Sequence, residues 1–257
     1  MTSDAVSFSV EGAVATVCLT RPDKRNALNE DVITQLEAFF ADPPPTVRSV
    51  LLTGEGTHFC AGLDLSEHHV RTPFEAMRHS RLWHRAFERI EHGRVPVVAA
   101  LQGAVIGGGL ELALAAHVRV ADETTFYSMP EGRLGIFVGG GGSVRIGRII
   151  GPDRMRELML TGRRLSAEDG LRLGLCHELT TSGSAVARAR ELAERVAANA
   201  PLTNELILTA LPRIGDMSRS DGMWAEALAT ALTQATDDSE EGLRAFLDKR
   251  PPEFRGT

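Results

Sequence analysis

The stretch Gln102-Gly103-Ala104-Val105-Ile106-Gly107-Gly108-Gly109-Leu110-Glu111-Leu112 decides how the rest of the chain is read. The apolar run from Val95 to Leu101 precedes it and reads as a buried strand. Leu110 to Ala116 follows and reads as a helix. Gly107 to Gly109 are therefore expected to form a strand-to-helix turn. At such a turn backbone N–H groups are unpaired and side chains are absent, so an anionic oxygen can approach the main chain at the positive helix end. An oxyanion hole is built this way.

Glu111 lies inside that helix. A glutamate on an Ala-rich helix is usually solvated, but Gly109-Leu110 before it and Leu112-Ala113-Leu114-Ala115-Ala116 after it leave no polar face. A helix apolar all round is buried, and a buried carboxylate costs several kcal/mol unless it has a partner or a task. Glu131, between Pro130 and Gly132, reads as a residue at a strand end or turn. Two facing carboxylates in a low-dielectric pocket have raised pKa values, so one can donate a proton near neutral pH while the other accepts one. That division suits adding water to a carbon–carbon double bond, or glycoside hydrolysis. A sugar site wants aromatic platforms, and the chain has 2 tryptophans and 1 tyrosine.

The 257 residues, 43% of them hydrophobic, suffice for one large core. A formal charge of −6 gives no electrostatic grip on nucleic acid. Cys18, Cys60 and Cys176 are odd in number and widely spaced, so reduced, inert thiols are expected rather than a zinc site. His58, His68 and His69 lack a carboxylate and histidine set at metal-ligand spacing, and no metal is expected. The start, Met1 to Phe8, has neither a basic region nor a long apolar core; a cytoplasmic enzyme without a membrane span is the expectation. The glycines at 139 to 142 do not satisfy G-x-G-x-x-G, and no phosphate-loop lysine is present, which argues against a nucleotide site.

In chain order, Val6 to Val10 and Ala13 to Leu19 alternate around Glu11-Gly12 as a hairpin does. The polar loop 20–29 carries Arg21, Lys24 and Arg25, which can grip phosphates or merely be solvated. Asn29 caps a helix with apolar Val32, Ile33, Leu36, Phe39 and Phe40, stopped by Pro43-Pro44-Pro45. Val47 to Thr53 reads as a buried strand. Phe59 to Leu65 is a second small-residue turn, able to add a donor to the same oxyanion. Phe74 to Ile90 reads as a helix with apolar Phe74, Met77, Leu82, Phe87 and Ile90, while Trp83 and His84 either line a pocket or pack. Further helices are expected after Gly151-Pro152-Asp153 and at Ser166, whose Asp169 completes a capping-box pattern. From Ser182 the chain reads as helix only. The expected division is a core domain, 1–195, and a C-terminal helical region, 196–257.

Several pieces together resemble the crotonase, or enoyl-CoA hydratase and isomerase, superfamily. They are Arg21-Pro22 with Asn26-Ala27-Leu28, Phe59-Cys60-Ala61-Gly62-Leu63-Asp64-Leu65, the opening stretch, Pro130-Glu131 with Leu134-Gly135, and Phe246 to Phe254. The resemblance implies an α/β fold, a spiral of ββα units whose C-terminal helical region makes a homotrimer or a dimer of trimers. It implies acyl-CoA thioesters as ligands, with coenzyme A part of the substrate and no separate cofactor. The thioester oxygen would be held by the N–H groups of Leu63 and Gly108. Lys24, Arg25, Ala27, Ala61, Asp64, Leu65 and Gly139 fall at substrate-contacting positions, Asp64 orienting its loop and Gly139 helping to place water.

Hydratases of the family carry glutamates at both positions matched by Glu111 and Glu131. The implied reaction is reversible syn hydration of a trans-2-enoyl-CoA, in fatty-acid or related acyl-CoA metabolism. Glu111 would deprotonate water for attack at C3, and Glu131 would protonate C2. The alternatives are a double-bond isomerase and a non-catalytic acyl-CoA binder. Two departures stand out: Gln102 replaces the usual asparagine, and Phe137-Val138-Gly139-Gly140 replaces Ile-Pro-Gly-x, which bears on the acyl pocket. Residues 66 to 84, which help set acyl length in the family, carry no clear signal.

Overall fold

The computed structural model describes residues 5–67 and 70–257, so His68 and His69 lie outside the described residues. The chain opens with the expected hairpin: β1 (Val6–Glu11) pairs antiparallel with β2 (Val14–Leu19). After a 3₁₀ turn at Pro22–Lys24 comes α1 (Glu30–Ala41), where the Asn29 side chain accepts from the Val32 N–H at 3.0 Å. Val32, Ile33, Leu36 and Phe40 of α1 are buried, at helical spacing. β3 (Ser49–Gly54) follows, buried at every position.

α2 (Pro73–Glu91) starts on a complete capping box, with Thr72 accepting from the Glu75 N–H and Glu75 from the Thr72 N–H. Trp83, Ala86, Phe87 and Ile90 are its buried face. Phe74 and Met77, expected in that stripe, are 71% and 42% exposed. They occupy the first turns of α2, which precede the buried stretch.

β4 (Val97–Leu101) does not lead straight into the glycine turn. Gln102-Gly103 reverses the chain into a second, three-stranded sheet through β5 (Ala104–Ile106), and α3 (Gly108–Ala113) starts there. The expected strand-to-helix turn is thus from β5, a strand of only 3 residues whose apolar signature merges with that of β4. The helix ends at Ala113 rather than Ala116, with Ala115 and Ala116 held by i−3 bonds.

β6 (Val118–Asp122) and β7 (Phe126–Ser128) come next. They are followed by a single turn, α4 (Glu131–Leu134), and by α5 (Gly142–Ile150), α6 (Pro152–Thr161) and β8 (Arg164–Leu165). α7 (Ala167–Leu173) has the capping box expected at Ser166 and Asp169. β9 (Glu178–Thr180) is the last strand, ahead of α8 (Ala185–Ala197), α9 (Pro201–Asp216), α10 (Arg219–Gln234) and α11 (Asp237–Asp248).

The larger sheet runs β1-β2-β3-β4-β6-β9, all parallel beyond the first hairpin; the smaller runs β5-β7-β8. Parallel strands must be covered on both faces. One face of the large sheet packs on the main core with α1 and α2, while Ala185, Ala189, Ala193 and Ala197 of α8 meet Val14, Leu51, Val98 and Val120 on the other. Alternate sheet and helix segments thus step along the chain, and β5, α3 and α4 sit where the two sheets meet. No helix among the described residues is long and apolar enough to cross a membrane.

Candidate active site

A cavity of about 510 Å³ opens between α2, α3 and the segment 136–139, and both predicted carboxylates line it. Leu63, Trp83, Gly108, Phe137, Val138 and Gly139 share its wall. Trp83 therefore does both things expected of it, packing against Phe87 edge to face and lining the pocket. His84 does not line it; its Nε2 lies 3.4 Å from the Ser80 hydroxyl.

Two main-chain donors meet at this wall. Leu28 and Leu63 form a parallel bridge in which the Leu28 N–H donates to Gly62 O at 2.7 Å and the Asp64 N–H to Leu28 O at 2.9 Å. Extended backbone alternates, so the intervening Leu63 N–H points the other way. Gly108 is the first residue of α3, and its N–H is one of the helix's orphan donors. Among the described residues neither N–H finds a protein acceptor. They are neighbours: a Cβ on Gly108 would sit 3.7 Å from the Leu63 nitrogen, and 2.6 Å from the Trp83 ring. Only glycine lets the indole close this side of the pocket while the N–H stays in reach.

The carboxylates differ in their surroundings. Glu111, 3% exposed, receives the Gly140 N–H at 2.9 Å and the Gly142 N–H at 2.7 Å on Oε1. Burial pushes its pKa above the usual carboxylate range, opposed by those N–H groups and by the charge of Arg145. Glu131, 5% exposed, is the first residue of α4 rather than part of a strand end. Its Oε2 is buried with no hydrogen-bond partner. Burial first, and then the charge of Glu111, push its pKa up to about 7. Donors to the ionised form favour it, and a bond from its own backbone N–H opposes this shift without cancelling it. The site therefore holds one carboxylate cradled by two N–H donors and one, with an unpartnered oxygen, poised to carry a proton near neutral pH.

Apart from Gly139, the other predicted contacts lie off this cavity wall. Asp64 is buried and accepts from Arg21 Nη2 at 2.7 Å and from the Ser66 N–H and hydroxyl at 3.0 and 2.6 Å. Burial would raise its pKa, but these hydrogen bonds outweigh burial and hold it below the ordinary value. Arg21 braces this loop, its other arm donating to Ala27 O at 2.6 Å. Lys24 and Arg25 are exposed, with Lys24 Nζ 3.2 Å from the Ser66 hydroxyl. Ala61 donates to Arg25 O at 2.9 Å, so the loops carrying Ala27 and Ala61 are zipped together beside exposed Leu65. Gly139 presents its carbonyl to the Ser80 hydroxyl at 2.7 Å.

Sequence reasoning missed Arg71, Ala76, His79 and Ser80 on the wall. Ala76, His79, Ser80 and Trp83 recur at helical spacing, a signal that was present but masked by the polarity of two of them. Arg71 and His79 both approach Glu30 Oε1, at 3.3 and 3.8 Å. No group of residues able to hold a metal ion occurs among the described residues.

The chain matches known proteins in sequence and in fold. The sequence profile of the enoyl-CoA hydratase/isomerase family covers residues 9–257. The chain belongs to this family. It has the crotonase fold of that superfamily: a solved Rhodopseudomonas palustris structure is 49% identical, superposes with a TM-score of 0.93 and covers 95% of each chain. The enoyl-CoA hydratase of Bacillus anthracis, 32% identical, also gives 0.93, over 98% of this chain and 100% of that one. The short-chain-enoyl-CoA hydratase of Clostridium acetobutylicum is 31% identical over 248 residues, 95% of either sequence. Membership of the enoyl-CoA hydratase/isomerase family implies an acyl-CoA thioester as the substrate.

Proposed function

We propose that the chain catalyses the reversible syn addition of water across the double bond of a trans-2-enoyl-CoA. The observation that carries this reading is the unlike pair of buried glutamates on one cavity, beside two unclaimed N–H groups. The thioester oxygen accepts from Leu63 and Gly108, and the enolate charge that develops on it is stabilised there, each donor contributing about 3 kcal/mol. Glu111, whose ionised form the Gly140 and Gly142 N–H groups favour against the cost of burial, takes the proton of a water that attacks C3. Glu131, protonated below about pH 7, gives its proton to C2. Regeneration needs one proton passed between the pair through solvent, and no cofactor beyond the coenzyme A of the substrate. Lys24 and Arg25, exposed beside the Asp64 loop, are placed to meet the phosphates of that carrier. Gly139 shapes the water's position through the turn it opens.

The test is a panel of enoyl-CoA thioesters, read by loss of conjugated-thioester absorbance and by product mass. Hydration adds one water; a product of unchanged mass indicates an isomerase, and tight binding without product a non-catalytic binder. Either outcome overturns the reading. Glu111→Gln and Glu131→Gln are each expected to lower kcat by about 10² to 10⁴, the usual contribution of a positioned acid or base.

A further inference from the structure

The turn from Gly139 to Gly142, which supplies both donors to Glu111, is itself held from two sides by side chains of α2 and α5. On one side the Ser80 hydroxyl donates to Gly139 O at 2.7 Å. That carbonyl and the Gly140 N–H belong to one planar trans peptide, so fixing the C=O aims the N–H the opposite way, at Glu111 Oε1 2.9 Å off. On the other side Arg145 Nη1 donates to Gly140 O at 2.7 Å, and its Nε to Glu91 Oε2 at 2.5 Å. Arg145 is 8% exposed and does not line the cavity. A Cβ on Gly142 would lie 2.8 Å from Glu111 Cγ and Oε1, so the turn and the carboxylate are in direct contact.

We infer that Arg145, backed by Glu91 and opposed by Ser80, is a positioning residue that keeps Glu111 the base of the pair by fixing the 139–142 turn against it. A buried arginine joined to a buried carboxylate through one residue does two things. It orients the N–H groups that stand in for water around the anion, and it adds a positive charge on the anion's side. Glu131 has neither. The inequality between two chemically identical acids therefore originates outside the cavity, in an ion pair between α5 and the last residue of α2.

The charged groups around Glu111 are few. Burial pushes its proton affinity up and Arg145 of α5 pulls it down, while the charge of Glu111 raises that of Glu131 on α4. From α2, Glu91 acts through Arg145, with His92 Nε2 3.9 Å from Glu91, and His84 reaches only Ser80. Loss of Arg145 thus leaves burial less opposed, and the base accepts its proton at higher pH.

The inference rests on the reading of Glu111 as base, so two readouts are needed. The first is the pH profile of kcat/KM for Arg145→Met, Arg145→Lys, Glu91→Gln and Ser80→Ala. The low-pH limb of Arg145→Met is expected to move up by about one unit, the lower end of the effect of a nearby opposite charge on a carboxylate. KM is expected to change less than twofold, because Arg145 touches no wall. Arg145→Lys is expected to recover part of the shift, and Glu91→Gln and Ser80→Ala to move it in the same direction by less. The second is the pH titration of the Gly140 and Gly142 amide resonances by NMR, which reports Glu111 without turnover and is expected to show the same displacement.

Thermal melts establish which variants fold. If Arg145→Met does not, the other three carry the test. Unmoved limbs and unmoved amide titrations in the folded variants overturn the positioning role. Wild-type protein that hydrates no enoyl thioester overturns the hydratase reading instead, while the amide titrations still decide the role of Arg145.

Discussion

At the scale of single residues, the unpartnered Oε2 of Glu131 has a consequence for stability as well as for proton transfer. Its pKa is about 7 in the fold and near the ordinary glutamate value of 4.5 when unfolded. Between these values the unfolded chain is ionised while the folded one holds its proton, so stability falls as pH rises from about 4.5 to about 7 and then levels. Glu131→Gln removes that dependence. Its melting temperature relative to wild type is expected to climb across this window, and a constant difference argues against a raised pKa. Gly108→Ala tests the oxyanion wall. The added Cβ meets the Trp83 ring at 2.6 Å, displaces the N–H, and is expected to lower kcat by about 10² to 10³ with folding retained. Legibility at this scale followed burial. Glu111 was readable because every flanking residue is apolar, whereas Glu131 was ambiguous because Pro130 and Gly132 suit an exposed turn equally well. Ser80 and Arg145 were invisible, since a serine and an arginine on amphipathic helices look solvated until the glycine turn folds between them.

Among the elements, the hairpin, α1, α2 and the helices from α5 onward carry their signals locally, in alternation, caps and 3.6-residue spacing. β5 does not. Three residues closing a second sheet acquire meaning only from β7 and from the Cys60–Val105 bridge, which are contacts distant in sequence. The same applies to the histidines that buttress the ends of β4 and β6. His177 Nδ1 accepts the Arg119 N–H at 3.0 Å, a role open only to the neutral ring. Burial, with the Arg119 charge second, holds its pKa at about 4 against 6.5 unfolded. Here the unfolded chain binds the extra proton, so stability is lost as pH falls from about 6.5 to about 4. Chemical denaturation of His177→Asn over this range is expected to show a shallower decline than wild type. A parallel decline removes His177 as the cause.

Over the whole molecule, the α/β class was legible because strand and helix signatures alternate and then give way to helix alone, whereas the spiral was implied only by the family resemblance. The purpose of the last three helices is not visible from a single chain, because they spend their apolar residues outward. Trp224, Leu228 and Leu232 follow one another at i+4 on α10 and are 68%, 45% and 64% exposed; Phe246 and Leu247 of α11 are 82% and 78% exposed. Large apolar side chains exposed in this number fit burial against further copies of the chain. We propose a trimer, alone or doubled, built through α9 to α11. Sedimentation is then expected to give three or six times the 27.7 kDa of one chain. Trp224→Glu with Leu228→Glu places two charges in the seam, and burying unpaired charge costs far more than one contact is worth. This double variant is expected to sediment as a smaller species while its far-ultraviolet circular dichroism stays that of wild type, because neither side chain contributes to the cores around the two sheets. Wild-type protein that remains a monomer at micromolar concentration would leave the apolar face unexplained and end the proposal.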